Sequence, residues 1–193
     1  IDVKAAKKST SEKISKMSGK KMSLRYAVED SKNGCAYSLY NIITPKVGLS
    51  YIENMNFSKI VQQDYTLSSG LGGLHHGTNT VEMANAYSTL ENHGEYRQAD
   101  CISSILDASG NEIYEEPESK TVYPRSASDQ MTDILEGVLN SSAGTAKGLK
   151  WSSASDVAAA AKTGTTNDNN VAWFCGYTPY YTISVWVGYD YPK

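Results

Sequence analysis

The stretch Ala158-Ala159-Ala160-Ala161-Lys162-Thr163-Gly164-Thr165-Thr166 decides how the rest of the chain is read. Small apolar residues run into a lysine, a set of hydroxyls and a bare glycine. An apolar, aromatic run follows at Val171-Ala172-Trp173-Phe174. The spacing predicts strands near 158–165, 171–177 and 182–188. On a strand alternate side chains share a face, so Lys162 and Gly164 lie on one side and Thr163 and Thr165 on the other. At an edge strand beside a cleft, Gly164 lets a substrate approach the backbone. The N–H of the next residue can then donate to a developing oxyanion, and such a donor contributes about 3 kcal/mol to catalysis. Threonine hydroxyls suit a carboxylate, and Lys162 adds positive charge. A lone Lys-Thr-Gly equally describes a strand with a surface lysine and a twist-permitting glycine, so the surrounding sequence has to decide.

Upstream, the chain reads as helical. Ser23 is placed to cap a helix through Leu24, Ala27 and Val28, which Asn33-Gly34 should stop. A second helix is expected over Cys35 to Ile43. A third, running to about Asn54, takes Thr44 as its cap and Pro45 as its first residue. Ser31 and Asn33 then fall on a short link between two helices. Asn79 with Glu82 forms a capping-box pattern ahead of the stripe Val81, Ala84, Tyr87, Ser88 and Leu90. Ile102 to Asp107 and Glu112 to Glu115, around Ala108-Ser109-Gly110-Asn111, read as a hairpin, and the charged stretch from Glu115 to Tyr123 as irregular. Ser126 with Asp129 opens a helix through Met131, Ile134, Leu135 and Val138, broken at Ser141-Ser142-Ala143-Gly144. Helices first and antiparallel strands afterwards argue for an α+β fold, one sheet covered by helices.

Composition removes several function classes. The 193 residues suffice for one domain with a real core, and a formal net charge of -3 offers no basic surface for nucleic acid. Residues 1–22 are Lys- and Ser-rich and read as a solvated surface segment rather than a binding patch. Gly70-Leu71-Gly72-Gly73-Leu74-His75-His76-Gly77 lacks the spacing of a nucleotide-binding loop, and no clear strand precedes it. His75 and His76 are adjacent and only His93 accompanies them, so no metal site is expected. Cys35, Cys101 and Cys175 form no paired spacing and read as small buried hydrophobes.

Ser-x-Asn occurs twice. Ser109-Gly110-Asn111 lies in the expected hairpin turn, where these residues are simply turn formers. Ser31-Lys32-Asn33 lies between two helices, well ahead of Lys162. There a serine hydroxyl near a lysine can pass a proton, and an asparagine amide can hold a substrate carbonyl or a neighbouring lysine.

Ser-x-Asn followed by Lys-Thr-Gly resembles the transpeptidase domain of class A penicillin-binding proteins, a relative of the serine β-lactamases. The likeness extends through Ser23-Leu24-Arg25-Tyr26-Ala27, Leu71-Gly72-Gly73, Glu82-Met83-Ala84-Asn85-Ala86-Tyr87 and Gly144-Thr145-Ala146. It continues through Ala172-Trp173-Phe174-Cys175-Gly176-Tyr177-Thr178-Pro179 and Val185-Trp186-Val187-Gly188-Tyr189-Asp190, and covers roughly residues 23–191. These blocks in one order are specific. The resemblance implies the C-terminal part of that α+β fold over 23–193.

The resemblance also implies roles. Ser31 relays a proton, Asn33 orients a lysine and the substrate amide, and Lys162 supports the proton network and the substrate carboxylate. Thr163 and Thr165 bind that carboxylate, with Gly164 and Thr166 completing the substrate-binding stretch; the N–H of Thr165 is one oxyanion donor. The implied partners are peptidoglycan stem peptides on a lipid-linked precursor and β-lactam antibiotics, with no cofactor and no nucleic acid. The implied setting is a membrane-anchored parent working on the outer face of the bacterial cell membrane. The family's nucleophile is the serine of Ser-x-x-Lys. The one match, Ser18-Gly19-Lys20-Lys21, lies too close to Ser31 and lacks apolar surroundings. The nucleophile and the rest of the domain are therefore expected ahead of Ile1. A water-accepting carboxypeptidase or β-lactamase, and a non-catalytic module that keeps only the pocket, are the alternatives.

Overall fold

The computed structural model describes residues 22–151, 156–166 and 170–189. The expected surface segment of residues 1–22, and with it Ser18 to Lys21, lies outside these but for Met22. The chain opens with three helices, α1 (Leu24–Glu29), α2 (Asn33–Ile43) and α3 (Pro45–Asn54). Ser23 caps α1 as expected, its Oγ accepting the Tyr26 N–H at 3.1 Å. Thr44 precedes Pro45, but at φ 73° its side chain makes no capping bond. Two short 3₁₀ turns, Gln62–Asp64 and Leu67–Leu71, follow. Helix α4 (Thr80–Glu91) begins where Asn79 Oδ1 accepts the Glu82 N–H at 2.9 Å. Then come β1 (Glu95–Tyr96), β2 (Lys120–Thr121) and the long amphipathic helix α5 (Arg125–Asn140). A 3₁₀ turn at Lys147–Leu149 leads to β3 (Ala160–Thr165), β4 (Val171–Tyr177) and β5 (Thr182–Gly188), all antiparallel in the order β3-β4-β5.

Four local readings change. Helix α2 starts at Asn33 rather than Cys35, so the link shrinks to Asp30–Lys32 and Asn33 joins the first helical turn. Helix α5 starts at Arg125 with Pro124 as its cap residue, leaving Ser126 inside the helix. The hairpin over 102–115 reduces to one bridge, Leu106↔Glu112, because its apolar side chains stay exposed and have nothing to pack on. Within the stretch read as irregular, Lys120–Thr121 pairs with Glu95–Tyr96. Of the cysteines, Cys35 and Cys175 are buried and Cys101 is exposed, all as free thiols.

The core sits between α5 and β3. Leu135, Val138 and Leu139 pack on Ala159, Ala160, Ala161 and Tyr177, with Tyr87, Leu90 and Met131 around them. The alanines explain the close approach: without bulk on the strand, the helix presses onto its backbone. Val138 has no exposed surface, a burial that stabilises by about 2 kcal/mol. Tyr177 turns its ring toward Tyr87, centroids 6.4 Å apart, and its hydroxyl lies 2.9 Å from Thr132 Oγ1. Burial pushes that phenol up to about 12. At alternate positions of β5, Ile183, Val185 and Val187 stay exposed on the face opposite Tyr177. Among the described residues no helix is long and apolar enough to cross a membrane.

Candidate active site

Ser31 is presented by the end of α1. The Ser31 N–H donates to Val28 O at 3.1 Å and the Lys32 N–H to Ala27 O at 2.8 Å. These two bonds make a Schellman closure, in which the residue at the Ser31 position takes a left-handed backbone and is usually glycine. Ser31 has φ 52°. A non-glycine residue held there stores about 1 kcal/mol or more of strain. The result is a hydroxyl turned off the helix axis toward β3.

Lys162 meets it. Its Nζ donates to Ser31 Oγ at 2.8 Å and to the carbonyl of Thr163 at 2.8 Å, joining positions 131 residues apart. Burial holds the ammonium below the ordinary lysine range. Helix α1, which sets Ser31, is fixed to α5 by Arg25, whose guanidinium donates to Asp133 O at 2.8 Å and pairs with the Asp133 carboxylate. Half-buried Asp30 and exposed Lys32, flanking Ser31, pair with each other at 2.7 Å, so the Lys32 charge is turned to Asp30.

Beside Ser31 and Lys162 lies a pocket of about 160 Å³. Asn33 lines it, and its remaining wall is chiefly apolar: Leu24, Ala27, Val28, Cys35 and Leu39. Thus three of the expected residues, Ser31, Asn33 and Lys162, border one space.

The remaining expected residues divide. In β3, Gly164 stands opposite Trp173, and a Cβ there would lie 3.3 Å from Trp173 Cβ. The Thr166 N–H donates to Val171 O at 3.0 Å. The alternation of an antiparallel ladder then turns the N–H groups of Thr165 and Thr163 away from β4, toward the strand's open edge. Thr165 is exposed there. Thr163 Oγ1 lies 2.7 Å from Thr145 Oγ1. Thr166 Oγ1 accepts the N–H of Val171, the first residue of β4, at 3.1 Å. Thr145 was not among the expected site residues; its block was legible only as a turn, and nothing local places it beside β3. Among the described residues no three metal-ligating side chains cluster.

A sheet backed by helices thus carries Lys-Thr-Gly on its edge strand against the Ser-x-Asn turn. A family profile described as the penicillin binding protein transpeptidase domain matches residues 2–191. The chain belongs to that family. It is 33% identical over 172 residues to penicillin-binding protein 4 of Bacillus subtilis, covering 89% of this chain and 27% of that protein. It thus spans about a quarter of that relative's length. The fold is also that of penicillin-binding protein 1A from Haemophilus influenzae, with TM-score 0.73, 18% identity, and coverage of 88% of this chain and 30% of that one. PonA1 from Mycobacterium tuberculosis, solved in complex with penicillin V, matches with TM-score 0.70, 24% identity, and coverage of 86% and 47%.

Proposed function

We propose that this chain forms one side of the acyl-transfer site of a peptidoglycan D,D-transpeptidase, the parent enzyme being anchored at the outer face of the bacterial cell membrane. The observation that carries the reading is the 2.8 Å bond from Lys162 Nζ to Ser31 Oγ, which brings the Ser-x-Asn and Lys-Thr-Gly elements together. Thr163 and Thr165 hold the terminal carboxylate of a stem peptide, or that of a β-lactam. The N–H of Thr165, at the open edge, supports the oxyanion. The nucleophile is the serine of a Ser-x-x-Lys segment outside the described residues. The apolar pocket bordered by Ser31, Asn33 and Lys162 suits the helix that would carry it.

In the reaction, the serine oxygen bonds the carbonyl carbon between two D-alanines and the C–N bond to the terminal D-alanine breaks. The serine proton, taken by its lysine, passes through Ser31 to the departing amine. An amine of a second stem peptide then displaces the serine, and its proton returns by the same path. Lys162 keeps this relay in a positive field and offsets the substrate carboxylate. Asn33, at the first turn of α2, orients the activating lysine and the substrate amide.

The test uses the full-length protein with a fluorescent penicillin and a D-Ala-D-Ala substrate bearing an acceptor amine. A label that survives denaturation, together with transfer to the amine, supports the reading. Release of D-alanine to water alone would make it a carboxypeptidase. Reversible binding without any covalent label would leave a binding module and sink the enzyme.

A further inference from the structure

Thr145 touches both halves of the site. Its N–H donates to Glu29 O at 3.2 Å, and Glu29 ends α1 just before the turn that presents Ser31. Its Oγ1 lies 2.7 Å from Thr163 Oγ1 on β3. The loop that carries it is pinned to α5: the Ala146 N–H donates to Val138 O at 3.0 Å and the Gly144 N–H to Ser141 O at 3.1 Å. The backbone of Thr145 is therefore fixed by bonds on either side of it, and its hydroxyl is directed by the contact with Thr163.

A hydroxyl has one proton to give and can accept from two donors. Two hydroxyls at 2.7 Å share a single donated proton, and which one donates is open in the free site. An anion at Thr163 removes the choice. If Thr163 gives its proton to a carboxylate, the pair stays bonded only with Thr145 donating to Thr163. Donors arranged in series polarise one another, so the outer hydrogen bond is strengthened.

The geometry points to Thr145 as a positioning residue for carboxylate recognition. It donates to Thr163 Oγ1 and so holds the Thr163 proton outward, toward a substrate or β-lactam carboxylate at the open edge of β3. This rests on β3 being the carboxylate-binding wall. Thr145 acts through Thr163 and not on the reacting carbonyl, so its effect follows the ligand's charge.

The experiment compares benzylpenicillin with its methyl ester as acylating agents of the full-length protein. The variants are Thr145→Val, which keeps the shape, and Thr145→Ser, which keeps the hydroxyl. Thr145→Val is expected to slow acylation by the acid roughly tenfold, in line with losing one ordered hydrogen bond in a charged chain, and by the ester less than about twofold. Thr145→Ser should restore the acid rate. In a Thr163→Val background, Thr145→Val should add nothing, because the group it acts through is gone. If valine is not accommodated, as a lowered unfolding midpoint would reveal, Thr145→Ala repeats the comparison with the loop's backbone bonds intact. Equal slowing of acid and ester, or no slowing of either, overturns the inference while leaving the acyl-transfer site standing. A wild-type protein acylated by neither overturns the underlying reading, and the inference with it.

Discussion

Ser31 reaches Lys162 from a left-handed backbone: at φ 52° its Oγ stands 2.8 Å from the ammonium. The strain and the contact have one origin, because the Schellman closure of α1 sets both. In the proposed role of Ser31, function and stability therefore pull in opposite directions at this position.

Ser31→Gly should separate them. Glycine removes about 1 kcal/mol of left-handed strain and also removes the hydroxyl. The expected result is an unfolding midpoint raised by about 2–4 °C for a domain of this size class. Acylation should fall by about 10²-fold or more, the scale of a lost proton-transfer group. Ser31→Ala should lose the same activity without gaining stability. Calorimetry beside stopped-flow acylation checks both, and a Ser31→Gly protein less stable than wild type would show that the turn is not strained.

Lys162 sets a pH limit. Burial holds its pKa below the ordinary lysine range, so the ammonium is lost at lower pH than from a free lysine. If the charged form supports the site, acylation stays high below that folded-state pKa and falls as pH rises through it. The basic limb of the rate profile should then lie below the usual lysine titration. Lys162→Arg keeps a charge that does not titrate in proteins, so it should abolish this limb even at a lower plateau rate. A limb that survives in Lys162→Arg belongs to another group.

What could be read from the sequence was what local chemistry determines. Ser23 and Asn79 cap their helices because the capping bond spans only three residues, and the three sheet strands show in their own apolar runs. The two-residue strands Glu95–Tyr96 and Lys120–Thr121 are too short to show any alternation, and their pairing is set at long range. The stretch around Leu106 and Ile113 shows strand-like alternation, yet both side chains are exposed, so only a bridge forms. Within the site, Ser31, Asn33 and Lys162 converge as their motifs imply. The left-handed turn at Ser31 was hidden because serine stands where glycine is the usual sign. That Thr166 Oγ1 accepts the Val171 N–H was not legible, because a hydroxyl at a strand end serves the backbone as readily as a ligand.

Tyr40 is gripped by two glycines. A Cβ on Gly48 of α3 would fall 2.2 Å from Tyr40 Cε2, and one on Gly70 would fall 2.4 Å from its Cγ. The ring lies between them, and its hydroxyl lies 2.9 Å from Ser69 Oγ and donates to Pro45 O at 3.4 Å. Gly70→Ala should therefore destabilise by about 1–3 kcal/mol, the range of an overpacked site. Tyr40→Phe, which loses only the hydroxyl and its bonds to Ser69 and Pro45, should destabilise by about 1 kcal/mol. Chemical denaturation of the two variants checks the order. A Gly70→Ala protein of unchanged stability would show that the ring can move aside.

Gly144 offers a test in which the fold and the site fail together. A Cβ there would lie 2.4 Å from Val138 O and 2.5 Å from Gly137 O, both backbone atoms of α5. Neither can yield as a flexible side chain can, so Gly144→Ala has to lift the loop off the helix end. That movement strains the Ala146 bond to Val138 O and carries Thr145 away from both Glu29 and Thr163. A destabilisation of about 1–3 kcal/mol is expected. The acid-to-ester preference in acylation should fall at least as far as in Thr145→Val, since the whole residue is displaced and not only its hydroxyl. Because Ser31 reaches Lys162 through the turn after α1 and not through this loop, reaction with the uncharged ester should persist in the folded fraction. A Gly144→Ala protein that unfolds earlier yet keeps the full acid preference would show that Thr163 holds a carboxylate without help from Thr145.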